Sequence, residues 1–208
     1  MSGDGGRLAL WDWRRRVAVL YAEVRAASDP VAAWRHWRAT RDELFRTHPQ
    51  SPLAGGAFAG LPYGDYDPAL RFAVELSPFG AASAMRADGG ADGVIAFTPF
   101  ARTAGLAPRL GAELTLYWIE GYAGGAFLPF RDGTSGKASY GGGRYLLDTA
   151  KGADLGRDDR GRTILDFNFA YNPSCAYSAR WVCPLAPSEN ALSALVGTGE
   201  LSRESRSR

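Results

Sequence analysis

The feature that most constrains the fold is a change in the spacing of apolar residues near residue 50. Before it, apolar side chains recur every three or four residues, the spacing of an amphipathic helix. After it, the apolar runs are short, some alternate with polar residues, and glycine, proline or aspartate separates them. The chain therefore predicts a helical segment at 7–48 followed by a β-rich core at 51–200.

Two helices are predicted in the N-terminal segment. The first covers residues 8–27, and the second covers 30–47. Ser28 and Asp29 can cap the second helix, and Pro30 suits its first turn. Because the connection is so short, we expect a helical hairpin that lies over the rest of the fold.

The β-rich core contains no helical pattern between its apolar runs. Glycine-rich turns connect these runs, which favours an antiparallel sheet over alternating strand–helix units. We therefore predict a mainly β protein, an antiparallel β-sandwich or barrel-like sheet with an N-terminal helical hairpin. It would form a single domain over 1–208 with a frayed tail at 201–208. The candidate strands are 70–76, 93–98, 112–119, 126–130, 143–147 and 162–168.

Composition and motifs argue against several classes of function. The net charge of +2 gives no general attraction to nucleic acid or to an anionic membrane. No apolar run approaches the roughly 18 residues of a membrane span, and the N-terminus lacks a signal-peptide pattern, so we expect a cytoplasmic protein. The glycine-rich stretches at 132–137 and 140–144 do not match a phosphate-binding loop, and we expect no cofactor.

Polar side chains concentrate beside aromatic and turn residues within 127–190. Asp166 and Asp132 are the candidate catalytic groups, since two carboxyls in different environments can divide acid and base roles. Arg144 is the expected partner of a buried Asp166, or the group that binds an anionic part of a substrate. The alternative is structural, because aspartate often binds backbone N–H groups in turns.

Further side chains could complete a substrate pocket. Asn168 shares a side with Asp166 if 162–168 is a strand. His48 could reach a pocket only if the hairpin folds over the sheet. Aromatic residues with a few polar groups are typical of a small-molecule site. The other candidate binding residues are Asn172, Tyr140 and Tyr171.

The chain contains two cysteines, Cys175 and Cys183, separated by seven residues. They could be buried structural thiols, a nucleophile, metal ligands or a disulfide. A nucleophile needs a base, and the two histidines lie in the predicted helical segment. The spacing does not match a C-x-x-C redox or zinc motif.

An ordered series of motifs supports a family resemblance over roughly residues 34–200. The matching stretches are LFRTHPQSPL (44–53), FRDGTSGKASYGGGRYL (130–146), LDFNFAYNPSCAYS (165–178) and WVCPLAPSEN (181–190). Two weaker matches are FAGLPYGDYDPALRF (58–72) and TGE (198–200). On these motifs the chain resembles the bacterial family known as domain of unknown function 1684, which implies no assigned activity. The charged loop at 151–162 departs from the family pattern between motifs.

These observations lead to one main functional expectation. We expect a cofactor-independent enzyme that acts on a small molecule by carboxylate acid/base chemistry in an aromatic-lined pocket. The alternative is a non-catalytic module that binds a small ligand or a metal ion. A third reading gives the polar residues a purely structural role.

Overall fold

The computed structural model describes residues 4–53, 58–90, 93–122 and 124–203. Two long helices open the chain, α1 (Asp4–Ala26) and α2 (Pro30–Thr47). The Asp29 carboxylate caps α2 because its Oδ1 accepts hydrogen bonds from the backbone N–H groups of Val31 and Ala32. A short helix, α3 (Ala107–Leu110), follows later.

Within the described residues, seven strands form one sheet, and each pairing is antiparallel. The strand order is β6-β5-β4-β3-β1-β7, with β2 paired beside β1 on the same edge of the long strand β3. Strands β6 and β7 also contact each other, so the sheet forms a nearly closed barrel. The strands are β1 (Arg71–Pro78), β2 (Met85–Asp88), β3 (Val94–Ala104), β4 (Thr115–Ile119), β5 (Gly125–Phe130), β6 (Arg144–Asp148) and β7 (Thr163–Asp166).

Two apolar clusters hold the fold together. One fills the barrel with side chains such as Leu116, Leu128 and Phe130. The other lies between the helical pair and the outside of the sheet, where Trp37 and Tyr117 are fully buried. Burial of large apolar surfaces fixes the helices against the barrel. The predicted fold, a mainly β barrel-like sheet with an N-terminal helical hairpin, is confirmed.

Two strand predictions need correction. Strand β2 (Met85–Asp88) was not predicted because four residues give too little alternation. The predicted strand 162–168 ends early, at Asp166, because its Oδ1 accepts a hydrogen bond from the Asn168 N–H at 3.0 Å. That bond caps a 3-10 helix at Phe167–Phe169. Asp166 and Asn168 still meet, but through this turn and not through strand alternation.

Candidate functional site

Asp132 and Arg144 form an ion pair inside the protein. The Arg144 Nη2 donates to Asp132 Oδ2 at 2.8 Å, and both side chains are at most 1% exposed. The other carboxylate oxygen accepts from the backbone N–H groups of Thr134 and Val196. The guanidinium also donates to the carbonyls of Val196, Thr198 and Glu200. The pair therefore binds the segment around residues 196–200 to β6.

The expectation that Arg144 would pair with Asp166 is wrong, because Arg144 is directed to Asp132 instead. The residue opposite Asp166 in the sheet is Arg71, the first residue of β1. Its Nε lies 3.9 Å from Asp166 Oδ2, beyond hydrogen-bond distance. Sequence reasoning missed Arg71 because strand register, not spacing along the chain, places it there.

The Asp166 carboxyl is almost fully buried, yet among the described residues only its Oδ1 accepts hydrogen bonds. Oδ1 accepts from the backbone N–H of Asn168 and from its Nδ2, at 3.0 and 2.7 Å. Burial raises the pKa of Asp166 to about 6, against the opposing effects of the Asn168 hydrogen bonds and the Arg71 charge. Asn168 also binds the backbone N–H and carbonyl of Asp67. Asn168 is thus a positioning residue for Asp166.

Asp166 lies in the wall of a cavity of about 150 Å³ between the helix connection and the barrel. We call this cavity the arginine cleft, since Arg25, Arg71 and Arg157 line it together with Asp158 and Asp166. Arg25 donates to the Asp154 carbonyl, and Asp158 pairs with Arg162. Arg157 has no side-chain hydrogen bond or ion pair with any residue that the structure describes.

A second cavity, of about 90 Å³, separates the helical pair from β6 and the loop after β7. We call it the aromatic cavity. Tyr171 and Asn172, two of the predicted binding residues, lie in its wall. The Asn172 Nδ2 donates to the Leu201 carbonyl, while its buried Oδ1 has no partner among the described residues. Its aromatic lining consists of Trp13, Tyr21, Phe45, Tyr145, Tyr171 and Tyr177.

A buried ion pair that the sequence did not predict lies beside the aromatic cavity. Arg41 of α2 lines the cavity, and its Nη2 donates to the fully buried Glu200 at 2.7 Å. Glu200 also accepts hydrogen bonds from the Tyr177 hydroxyl and the Asn172 backbone N–H. Burial raises the pKa of Glu200, although Arg41 opposes this. In the sequence, Arg41 is one of several arginines in the helical segment, and it meets Glu200 only because α2 docks on the barrel.

His48 and Tyr140 line neither of these two cavities. His48 is the C-cap of α2, where its Nε2 is 3.2 Å from Asp12 Oδ2 and its ring contacts Trp13. These contacts join α1 to α2. The Tyr140 hydroxyl lies 3.6 Å from the Cys175 Sγ. The structure therefore distributes the predicted site residues over several places.

None of the helices in the described residues is long and apolar enough to cross a membrane. No group of three or more His, Cys, Asp or Glu side chains in those ranges could hold a metal ion.

Comparisons with known proteins agree with the sequence motifs. The model of a family described as "Protein of unknown function (DUF1684)" matches residues 56–201. An uncharacterized protein of Haloarcula marismortui, solved by solution NMR, is 32% identical with a TM-score of 0.54. The match covers 79% of this chain and 89% of that one. No curated protein matches. The chain therefore belongs to the DUF1684 family of proteins of unknown function.

Proposed function

We propose that this protein is an enzyme that uses Asp166 for acid/base chemistry on a small anionic molecule bound in the arginine cleft. The observation that carries the proposal is a buried carboxyl in a cavity wall whose Oδ2 accepts no hydrogen bond from a described residue, with Arg71 3.9 Å away and Arg157 in the same cavity lining. A titratable group perturbed by burial and by a specific charge, in a cleft, is typical of a functional site.

The protonation state of Asp166 suits proton transfer. Because its pKa is raised to about 6, the carboxyl is divided between its acid and base forms near pH 6 and is mostly the carboxylate at neutral pH, where it can act as a base. Asn168 holds Oδ1 through two hydrogen bonds, which leaves Oδ2 to exchange a proton with a bound molecule. The hydrogen bonds also fix the orientation of the carboxyl, which a general acid or base needs.

The charge of the cleft favours an anionic substrate. Arg71 and Arg157 offer guanidinium groups that can bind a carboxylate or phosphate through two parallel hydrogen bonds. A volume of about 150 Å³ suits a molecule of few non-hydrogen atoms. The proposed chemistry is a proton transfer at this molecule, as in an isomerisation, hydrolysis or cyclisation.

The first test measures the pKa of Asp166 and the binding of two probe anions. Titration of protein with ¹³C-labelled aspartate should give a pKa of about 6 for Asp166. Acetate or inorganic phosphate should perturb the NMR signals of Asp166 and Arg71, and Arg71→Met should weaken this binding. A normal Asp166 pKa together with no response to either anion would overturn the proposal.

The second test examines turnover directly. Small carboxylates and phosphate esters are incubated with the protein in D₂O, and ¹H NMR follows deuterium incorporation and conversion. Asp166→Asn should abolish any turnover but leave the fold intact. Asp158→Asn is the matched control, because Asp158 lines the same cleft and pairs with Arg162. Turnover that persists in Asp166→Asn would exclude Asp166 as the catalytic group.

A second candidate function is non-catalytic binding of a small neutral ligand in the aromatic cavity. The buried Asn172 Oδ1 favours it, since an acceptor without a partner costs free energy that a ligand donor would remove. Propionamide, which offers an N–H donor, should perturb the NMR signals of Tyr171 and Asn172. Propionate has a similar size but lacks the donor, and it should not. Equal responses to the two probes, or none, would reject this candidate.

A further inference from the structure

A third cavity, of about 230 Å³, opens from the interior of the barrel. Leu116 and Leu147 in its wall belong to the apolar cluster that fills the barrel, and Leu76 and Ala126 pack against that cluster. Six of the seven described strands, all except β2, contribute a side chain to the wall. We call this cavity the barrel pocket. The six side chains, one from each strand, are Leu76, Phe100, Leu116, Ala126, Leu147 and Thr163.

Two aromatic side chains form the entrance of the barrel pocket. Trp118 of β4 also lines it, and its ring meets the Phe100 ring edge to face, with the ring centroids 6.0 Å apart. Trp118 is 44% exposed and Phe100 is 37% exposed. Large aromatic side chains that are half-exposed beside an apolar cavity are typical of a binding site, because a ligand ring that stacks on them removes apolar surface from water.

Two charged side chains in the same wall keep hydrogen-bonding atoms for a ligand. The Arg157 guanidinium donates to no described residue. Asp154 uses its Oδ1 to accept the Gly156 N–H at 2.8 Å, and its Oδ2 accepts from no described residue. A free donor and a free acceptor in one wall suit a polar group that both accepts and donates hydrogen bonds. Because the two charges are opposite, they favour neither an anion nor a cation.

We propose that the barrel pocket binds a small neutral aromatic molecule with one polar substituent, such as a primary amide, that both donates and accepts hydrogen bonds. The ring lies against Trp118 and Phe100, and the substituent accepts from Arg157 and donates to Asp154. A cavity of about 150 Å³ holds benzene, so the larger volume here leaves room for a short substituent.

The barrel pocket is separate from the proposed acid/base chemistry. Asp166 and Arg71 line the arginine cleft and not this pocket, although Arg157 lines both. A neutral ligand in the barrel pocket therefore needs neither the Asp166 carboxyl nor its protonation state. The two proposals can fail independently, because one predicts an anion beside Asp166 and the other a neutral ring beside Trp118.

The test uses para-fluorobenzamide as the probe and NMR as the measurement. Its fluorine signal should broaden when the protein is added, and the indole N–H signal of Trp118 should shift. Trp118→Ala should weaken binding about tenfold, because the ring loses a large contact surface. Ala126→Leu should abolish binding, because the larger side chain fills the pocket.

Tyr122→Ala is the matched control, since Tyr122 is a fully exposed aromatic residue that does not line the pocket. It should bind the probe like the wild type. The second probe, para-fluorobenzoate, has nearly the same shape but carries a negative charge and no N–H donor. It should bind about fivefold more weakly, since it cannot donate to Asp154. The proposal would be overturned by equal affinities for the two probes, by no binding of para-fluorobenzamide, or by binding that Trp118→Ala and Ala126→Leu leave unchanged.

Discussion

Two aspartate–arginine pairs of this protein differ in how many of their polar atoms form hydrogen bonds with the rest of the protein. In the Asp132–Arg144 pair, both carboxylate oxygens are hydrogen-bonded, and the guanidinium also binds three backbone carbonyls. In the Asp166–Arg71 pair, the charged groups stand 3.9 Å apart beside a cavity.

The comparison separates a structural pair from a candidate catalytic one. In the Asp132–Arg144 pair every polar side-chain atom is hydrogen-bonded except the buried Arg144 Nε, which has no partner among the described residues. The pair lines neither the arginine cleft nor the aromatic cavity, and its hydrogen bonds fix the chain around it. A carboxyl with a free oxygen and a raised pKa can bind or transfer a proton. Substitutions in these two pairs, and in the buried Arg41–Glu200 pair, test this distinction, and the first below should have the largest effect.

Arg144→Met should have the largest effect on stability. It leaves the Asp132 carboxylate buried without its counter-ion, which costs about 3–5 kcal/mol of unfolding free energy. Urea denaturation of the variant and the wild type gives the difference. A loss below about 1 kcal/mol would show that the pair does not hold the segment around residues 196–200 in place.

Asp166→Asn should change how stability depends on pH. Between its ordinary pKa of 3.8 and about 6, the folded protein keeps a proton on Asp166 that the unfolded chain has released. Stability therefore falls as pH rises through this window, by about 3 kcal/mol. The asparagine variant should lack this part of the fall, as urea denaturation from pH 4 to 7 would show.

Asp158→Asn provides the control for the pH series. The backbone and Arg162 hydrogen bonds lower the pKa of Asp158, so its contribution is lost only as pH falls below the window. This variant should keep the wild-type decrease between pH 4 and 6. Identical pH profiles for the wild type and Asp166→Asn would contradict the raised pKa.

Glu200→Gln should destabilise the protein by about 2 kcal/mol, because it removes the buried counter-ion of Arg41 but retains part of the hydrogen bonding. Thermal and urea unfolding would measure the loss. Glu43→Gln is the matched control, since Glu43 pairs with Arg46 on the surface and should contribute less than about 0.5 kcal/mol. Equal effects would remove the distinction between the buried and exposed pairs.

Arg71→Met should have the smallest effect on stability, below about 1 kcal/mol, since solvent screens a partly exposed pair. It should nevertheless raise the pKa of Asp166, because the Arg71 charge favours the carboxylate. Carbon-13 titration of Asp166 would detect the change. A large loss of stability without a pKa change would make Arg71 a structural residue like Arg144.

The sequence alone determined the two helices, most of the strands and the antiparallel character of the sheet. These features depend on the periodicity of apolar residues and on turn residues, and both can be read from one sequence. The buried state of Asp166 also followed from its place between Leu165 and Phe167. The short strand β2 (Met85–Asp88) was not predicted, because four residues are too few to show a clear alternation of apolar and polar side chains.

Which charged groups meet depends on how the strands and helices pack together. Arg144 binds Asp132 because β6 lies beside the turn after β5, and Arg71 faces Asp166 through the register of β1 with β7. Arg41 and Glu200 are 159 residues apart and meet only when α2 docks on the barrel. Such contacts depend on long-range packing, which local residue patterns do not encode.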